Sequence, residues 1–148
     1  MAGDKFVYVT YIRTTQQTLF DALTKPEFTR QYWFGISMKS DWTVGASWQM
    51  NYPDGTVTDT GNVVEIDPPR RLVLRWRNAF KPELKAEGYS RASFTLEPLG
   101  ETVKLTVLHE IDKTDSQFIK AVSNGWPMIL SSLKSALETG KPLERPPS

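Results

Sequence analysis

Residues 116–138 constrain the fold more than any other segment. Their apolar members Phe118, Ile119, Val122, Trp126, Ile129, Leu130, Leu133 and Leu137 recur at steps of one, three and four. That spacing is one face of an α-helix. Ahead of it, over about residues 37–111, short alternating segments are separated by turn residues. A long helix with one apolar face must bury that face, and a curved antiparallel sheet offers its concave side. Such a grip either closes on a solid core or encloses a pocket, and the residue pattern leaves both open.

The rest of the chain supplies the sheet. Lys5–Arg13 is rich in Val, Ile, Tyr and Phe and reads as a strand. Thr14 or Thr15 is placed to cap a short helix over residues 16–23, and Pro26 starts a second over residues 27–33. Residues 37–42 suggest an extra short strand. Residues 46–52 alternate, with Trp48, Met50 and Tyr52 on one face, and Tyr52-Pro53-Asp54-Gly55 carries a type I turn signal. In residues 57–66, Gly61 and the pair Val63-Val64 point to a bulge, and Asp67-Pro68-Pro69 ends the strand. Residues 71–77 place Leu72, Leu74 and Trp76 inward, with Val73, Arg75 and Arg77 outward. Residues 80–87 read as a polar loop opening on an aromatic ring. Residues 89–96 put Ala92, Phe94 and Leu96 on one face; residues 102–111 do the same for Val103, Leu105, Val107 and His109. Gly125 and Pro127 should kink or loosen the closing helix, and Gly140 ends it. The order is β-αα-βββββ-α, an α+β chain of six to seven strands with two short helices after the first.

At 148 residues the chain is expected to form one domain over residues 1–143, with residues 144–148 as a loose tail. It has no Cys, so disulfides and thiolate chemistry are excluded. A formal charge of +1 gives no electrostatic case for nucleic acid. The cluster Arg70, Arg71, Arg75 and Arg77 reads as the solvated side of a strand and its entry turn. No secretory signal or membrane-length apolar window is visible, which suggests a cytoplasmic protein, monomeric or homodimeric.

Several strings carry a family resemblance. They are Ala22-Leu23-Thr24-Lys25-Pro26-Glu27 with Tyr32-Trp33; Gly61 with Val63-Val64-Glu65-Ile66-Asp67-Pro68-Pro69-Arg70-Arg71-Leu72 and Trp76; Thr95-Leu96-Glu97; Leu105-Thr106-Val107 with His109; and Gly125-Trp126 with Leu130, Leu133 and Leu137. In their order and spacing they resemble the helix-grip (START-like, Bet v 1-like) superfamily of birch-allergen and polyketide-cyclase-like proteins. The likeness is greatest to the C-terminal domain of the activator of Hsp90 ATPase. The resemblance implies a curved antiparallel sheet around a C-terminal helix, often with an apolar cavity between them. It also implies a choice of roles: lipid carriage, hormone reception, cyclisation or chaperone partnership. The eukaryotic activator has a further N-terminal domain for which this chain leaves no room. Many members carry a Gly-Gly pair where this chain has Val44-Gly45-Ala46-Ser47.

The candidate pocket residues are Trp33, Met38, Trp48, Met50, Tyr52, Trp76, Tyr89, Phe94, His109, Trp126, Ile129, Leu130 and Leu133. Tyr52, Tyr89 and His109 are the polar anchors among them, with Asn51 or Arg75 at the rim, and Trp33 belongs to Tyr32-Trp33-Phe34-Gly35, a lid or a plug. His109, the sole His, is the one catalytic candidate; the competing reading is a partly exposed strand-end ring bonded to a neighbour. Asp54 with Asp59, and Glu83 with Glu87, read as surface charges. No metal or cofactor site is expected. A ligand burying ~200 Å² of apolar surface would gain ~5 kcal/mol before binding costs, at ~25 cal/mol per Å². The expectation is a small apolar or aromatic ligand bound without catalysis. A cyclase- or hydratase-type enzyme and a chaperone-interaction module are the alternatives.

Overall fold

The alternating segments pair into a single seven-stranded sheet. The computed structural model describes residues 3–144. The strands are β1 (Lys5–Arg13), β2 (Ser37–Ser40), β3 (Ser47–Asn51), β4 (Val57–Asp67), β5 (Arg71–Asn78), β6 (Ser90–Leu99) and β7 (Thr102–Glu110). Their order is β1-β7-β6-β5-β4-β3-β2, antiparallel throughout. Helices α1 (Gln16–Thr24) and α2 (Pro26–Tyr32) follow β1, α3 (Pro82–Lys85) joins β5 to β6, and α4 (Gln117–Thr139) closes the chain. The sheet is curved and open, and α4 buries Phe118, Ile119, Trp126, Leu130 and Leu133 against it. The fold is thus the α+β helix grip that the sequence leads one to expect.

Local chemistry sets the element ends. The Thr15 hydroxyl accepts from Thr18 N–H and caps α1, while Pro26 occupies the first turn of α2. The Tyr32 hydroxyl donates to Ala22 O, and the Thr29 hydroxyl accepts from Met38 N–H, so α2 is tied to α1 and to β2. Ser116 caps α4, and Gly140 ends it at φ 81°, a conformation that glycine adopts without strain. The helix is continuous through Pro127. Among the described residues no helix is long and apolar enough to cross a membrane.

Within the sheet and its connections, residues 80–87 and Val73 differ from the sequence expectation. Residues 80–87 are not simply a polar loop: Pro82 starts α3, and Leu84 is buried. Val73, expected outward, is 0% exposed. It sits on the central strand between Glu65 and Ser93, and Glu65 pairs with Arg71 Nε through Oε2 at 2.8 Å. Arginines of the cluster are engaged by neighbouring residues. Arg70 pairs with Asp67, Arg75 lies 3.6 Å over the Tyr89 ring, and Arg77 donates to Lys85 O. Of the tail, Leu143 N–H donates to Ser132 Oγ, and residues 145–148 lie outside the described residues.

Gly61 is the tightest point of the sheet. The Trp48 indole lies across it, and its Nε1–H donates to Arg75 O at 3.0 Å. A Cβ on Gly61 would stand 1.7 Å from Arg75 O and 2.7 Å from Trp48 Nε1.

Candidate functional site

Two irregularities in β4 shape the site. Met50 faces Asp59 and Asn51 faces Val57, which leaves Thr58 as an extra residue; Val63 faces Leu74 and Glu65 faces Val73, which leaves Val64 as another. Only the second falls where the sequence suggested a bulge. Strand side chains alternate with period two, so an inserted residue lets consecutive side chains share a face. At the first bulge Thr58 and Asp59 both line the space beneath α4.

That space is a pocket of about 250 Å³, open to solvent, between the sheet and the N-terminal half of α4. At ~30 Å³ per water it would hold about eight. The helix contributes Phe118, Val122, Gly125, Trp126 and Ile129. The sheet contributes Met50, Tyr52, Thr58, Asp59, Trp76 and Asn78. Trp33 and Ile36 close one side, and Phe80, Lys81 and Leu84 form the other. Trp33, Trp76 and Trp126 make a box of indoles: their ring centroids are 5.4 Å apart for Trp33–Trp126, 5.7 Å for Trp76–Trp126 and 6.4 Å for Trp33–Trp76. At the mouth Tyr52 meets Phe80 edge-on at 5.6 Å.

Of the residues singled out by sequence, Trp33, Met50, Tyr52, Trp76, Trp126 and Ile129 line this pocket. Met38, Trp48, Phe94, Leu130 and Leu133 are buried in the core beside it. Tyr89 is exposed and stacked under Arg75, away from the pocket. The Tyr32-Trp33 segment is divided, with Tyr32 buried in the core and Trp33 in the pocket wall.

His109 is 0% exposed, not the partly exposed strand end that its position suggested. Trp126 Nε1–H donates to its Nδ1 at 3.1 Å, so the neutral ring carries its proton on Nε2. That proton goes to Ser90 Oγ at 2.8 Å, and the Ser90 hydroxyl donates onward to Trp76 O at 3.2 Å. Burial pulls the imidazole pKa down to about 3. His109 orients Trp126 and Trp76 from behind, 5.4 Å from the Trp76 centroid, and both its nitrogens are spent.

Of the two charged residues lining the pocket, Lys81 is exposed and Asp59 is half-buried, not the surface charge that the sequence suggests. Its Oδ2 accepts from Trp76 Nε1–H at 2.8 Å. Burial raises its pKa, opposed by hydrogen bonds from Trp76 and Thr58. Asp54, by contrast, is exposed in its turn and accepts from Thr56 N–H. Glu87 is structural: it accepts from Ser116 Oγ, Gln117 N–H and Phe118 N–H at the start of α4. Burial opposes its ionisation, but those hydrogen bonds and Lys113 hold its pKa below the ordinary value. Among the described residues no three His, Asp or Glu side chains are grouped to hold a metal ion. The one signal that could have found Asp59 was its place two residues before Gly61, in a strand of ambiguous register.

Several solved structures share this architecture. A protein from Mesorhizobium loti is 22% identical with a TM-score of 0.75, over 90% of this chain and 96% of that one. The Aha1 dimer of Colwellia psychrerythraea is 19% identical with a TM-score of 0.75, over 93% and 98%. An HSP90 activator from Plasmodium falciparum is 20% identical with a TM-score of 0.69, over 84% and 88%. At such identities the likeness is one of fold. No curated protein sequence matches the chain. The profile of the family described as "Activator of Hsp90 ATPase homolog 1-like protein" matches residues 13–138, from the end of β1 almost to the end of α4. With six of the seven strands and nearly all of α4 inside that span, the chain belongs to the family of activator of Hsp90 ATPase homolog 1-like proteins.

Proposed function

We propose that the protein binds a small, largely apolar molecule in the pocket between the sheet and α4, without chemistry of its own. The observation that carries this reading is a void of about 250 Å³ walled by indoles and left open to solvent, at the small end for ligand sites. Gly125 supports it. A glycine inside a helix costs about 1 kcal/mol relative to alanine. A Cβ there would meet nothing within 4 Å, so no neighbouring atom demands the glycine. What its missing side chain keeps open is the pocket. Turnover finds less support, because His109 has both nitrogens engaged behind the tryptophans.

Native mass spectrometry of protein purified without organic solvent tests the reading. A stoichiometric adduct lost on denaturation is expected. Gly125→Leu should fold, with a melting temperature no lower than that of the parent, and should lose the adduct. An adduct retained in Gly125→Leu, or a parent without adduct or thermal shift across apolar and aromatic compounds, would refute it.

A second reading has its own observation. On the outer face of β1, Val7, Val9 and Tyr11 are 52%, 43% and 50% exposed, a row of apolar side chains that suits a protein partner. The family description and the Plasmodium falciparum structure make Hsp90 the partner to try. Stimulation of a purified Hsp90 ATPase, lost in Val9→Glu/Tyr11→Glu and kept in Gly125→Leu, would favour it.

A further inference from the structure

An apolar pocket has no need of a carboxylate, and this one has the half-buried Asp59 in its lining. We propose that the pocket selects an organic cation: a protonated amine or heteroaromatic base whose N–H groups face Asp59 and whose body lies among Trp33, Trp76 and Trp126. The inference rests on the pocket being a ligand site, and it names the ligand's charge.

Three features point the same way. First, the β4 bulge at Thr58 is what lets Asp59 and Thr58 both line the pocket. Bulges that re-aim a side chain are concentrated near functional sites. Second, the carboxylate is only partly satisfied. An ionised carboxylate has about four lone-pair sites, and the donors beside this one are the Trp76 indole and the Thr58 hydroxyl, which also bonds Met50 O at a long 3.4 Å. No lysine or arginine among the described residues forms an ion pair with it. Third, Trp33, Trp76 and Trp126 line the same pocket, and tryptophan is the aromatic side chain that attracts cations most strongly. Carboxylate and indole box meet at Trp76, which donates to Asp59 at 2.8 Å, and both call for positive charge.

The other groups around the pocket do not reverse this. Lys81 lines the rim but is exposed, where water solvates its ammonium. Tyr52 stands at the mouth against Phe80. The helix side offers Phe118, Ala121, Val122, Gly125, Trp126 and Ile129, none of them titratable. His109 is held neutral behind Trp76. Burial raises the Asp59 pKa, and a bound cation would return it toward its ordinary range.

The test uses three probes of one size: 2-phenylethylamine, 2-phenylethanol and phenylacetate. Each is titrated at pH 7.5 into 15N-labelled full-length protein, and the indole N–H resonances of Trp33, Trp76 and Trp126 are followed. The amine is expected to bind at least tenfold more tightly than the alcohol, with the largest shift at Trp76, and phenylacetate more weakly still. In Asp59→Asn, which keeps an acceptor for the Trp76 N–H, the amine should lose its tenfold advantage. Its melting temperature should rise at pH 7.5, because a buried charge is gone. If the alcohol or phenylacetate binds as tightly as the amine, or if Asp59→Asn keeps the preference, the cation assignment fails and the pocket reading stands. If none of the three moves an indole resonance at millimolar concentration, the pocket reading fails with it.

Discussion

Gly61→Ala is expected to be severely destabilised. The new methyl would stand 1.7 Å from Arg75 O, which belongs to the neighbouring strand, and 2.7 Å from Trp48 Nε1. A side chain can swing away from such an intrusion, but a carbonyl in the middle of a ladder cannot. Overpacking ordinarily costs about 1–3 kcal/mol. Here the methyl also displaces the Trp48 indole from Arg75 O and opens the β4–β5 pairing, so a loss of about 4 kcal/mol or more is expected, in the range kept for severe lesions. Urea unfolding followed by tryptophan fluorescence measures it. Adding Trp48→Phe to the alanine variant should recover little, because the indole is the lesser obstacle. A midpoint within experimental error of the parent would mean that β4 and β5 are not so closely apposed.

The second large effect lies in acid. His109 has a folded-state pKa of about 3 against an unfolded value of 6.5. Between those two values the unfolded chain takes up a proton that the folded chain refuses. Stability is therefore fully present above the unfolded value and is lost as pH falls below it. At ~1.36 kcal/mol per unit, the loss at pH 5 relative to pH 7 is about 2 kcal/mol. Asp59 works in the opposite sense. Its raised pKa means that the buried charge costs stability at neutral pH, and protonation relieves that cost as pH falls. His109→Gln separates the two, since glutamine can accept from Trp126 and donate to Ser90 without titrating. Chemical denaturation at pH 7 and pH 5 should show the parent losing about 2 kcal/mol more than the variant between those conditions. Equal losses would mean that the imidazole is solvated or charged in the folded protein.

Much of the fold was legible in residue order because periodicity survives wherever strands are regular. Leu72, Leu74 and Trp76, or Val103, Leu105 and Val107, alternate cleanly and are buried as that alternation requires. The caps at Thr15 and Gly140 follow from local chemistry. What escaped was everything that depends on a neighbour. Val73 is covered by side chains of adjoining strands, which no single-strand pattern reveals. The four-residue α3 has one apolar residue, Leu84, among polar ones, too few to show a period. Asp59 escaped because its face is set by an insertion at Thr58, and a bulge breaks the alternation by which inward and outward are told apart. In the pocket, aromatic bulk was readable and position was not: Trp76 and Phe94 look alike in sequence, yet one walls the void and the other packs beside it.

The cap on α4 joins two parts of the molecule that sequence keeps far apart. Glu87 follows closely on the α3 segment whose Phe80, Lys81 and Leu84 line the pocket, and it holds the first amides of the helix that also lines it. The doorway of the pocket is therefore latched to the end of its main pillar. Any excursion of this segment wide enough to admit a bulky guest draws Glu87 from the helix end and lays the Gln117 and Phe118 amides open to solvent. The deuterium uptake of those two amides would report any such excursion.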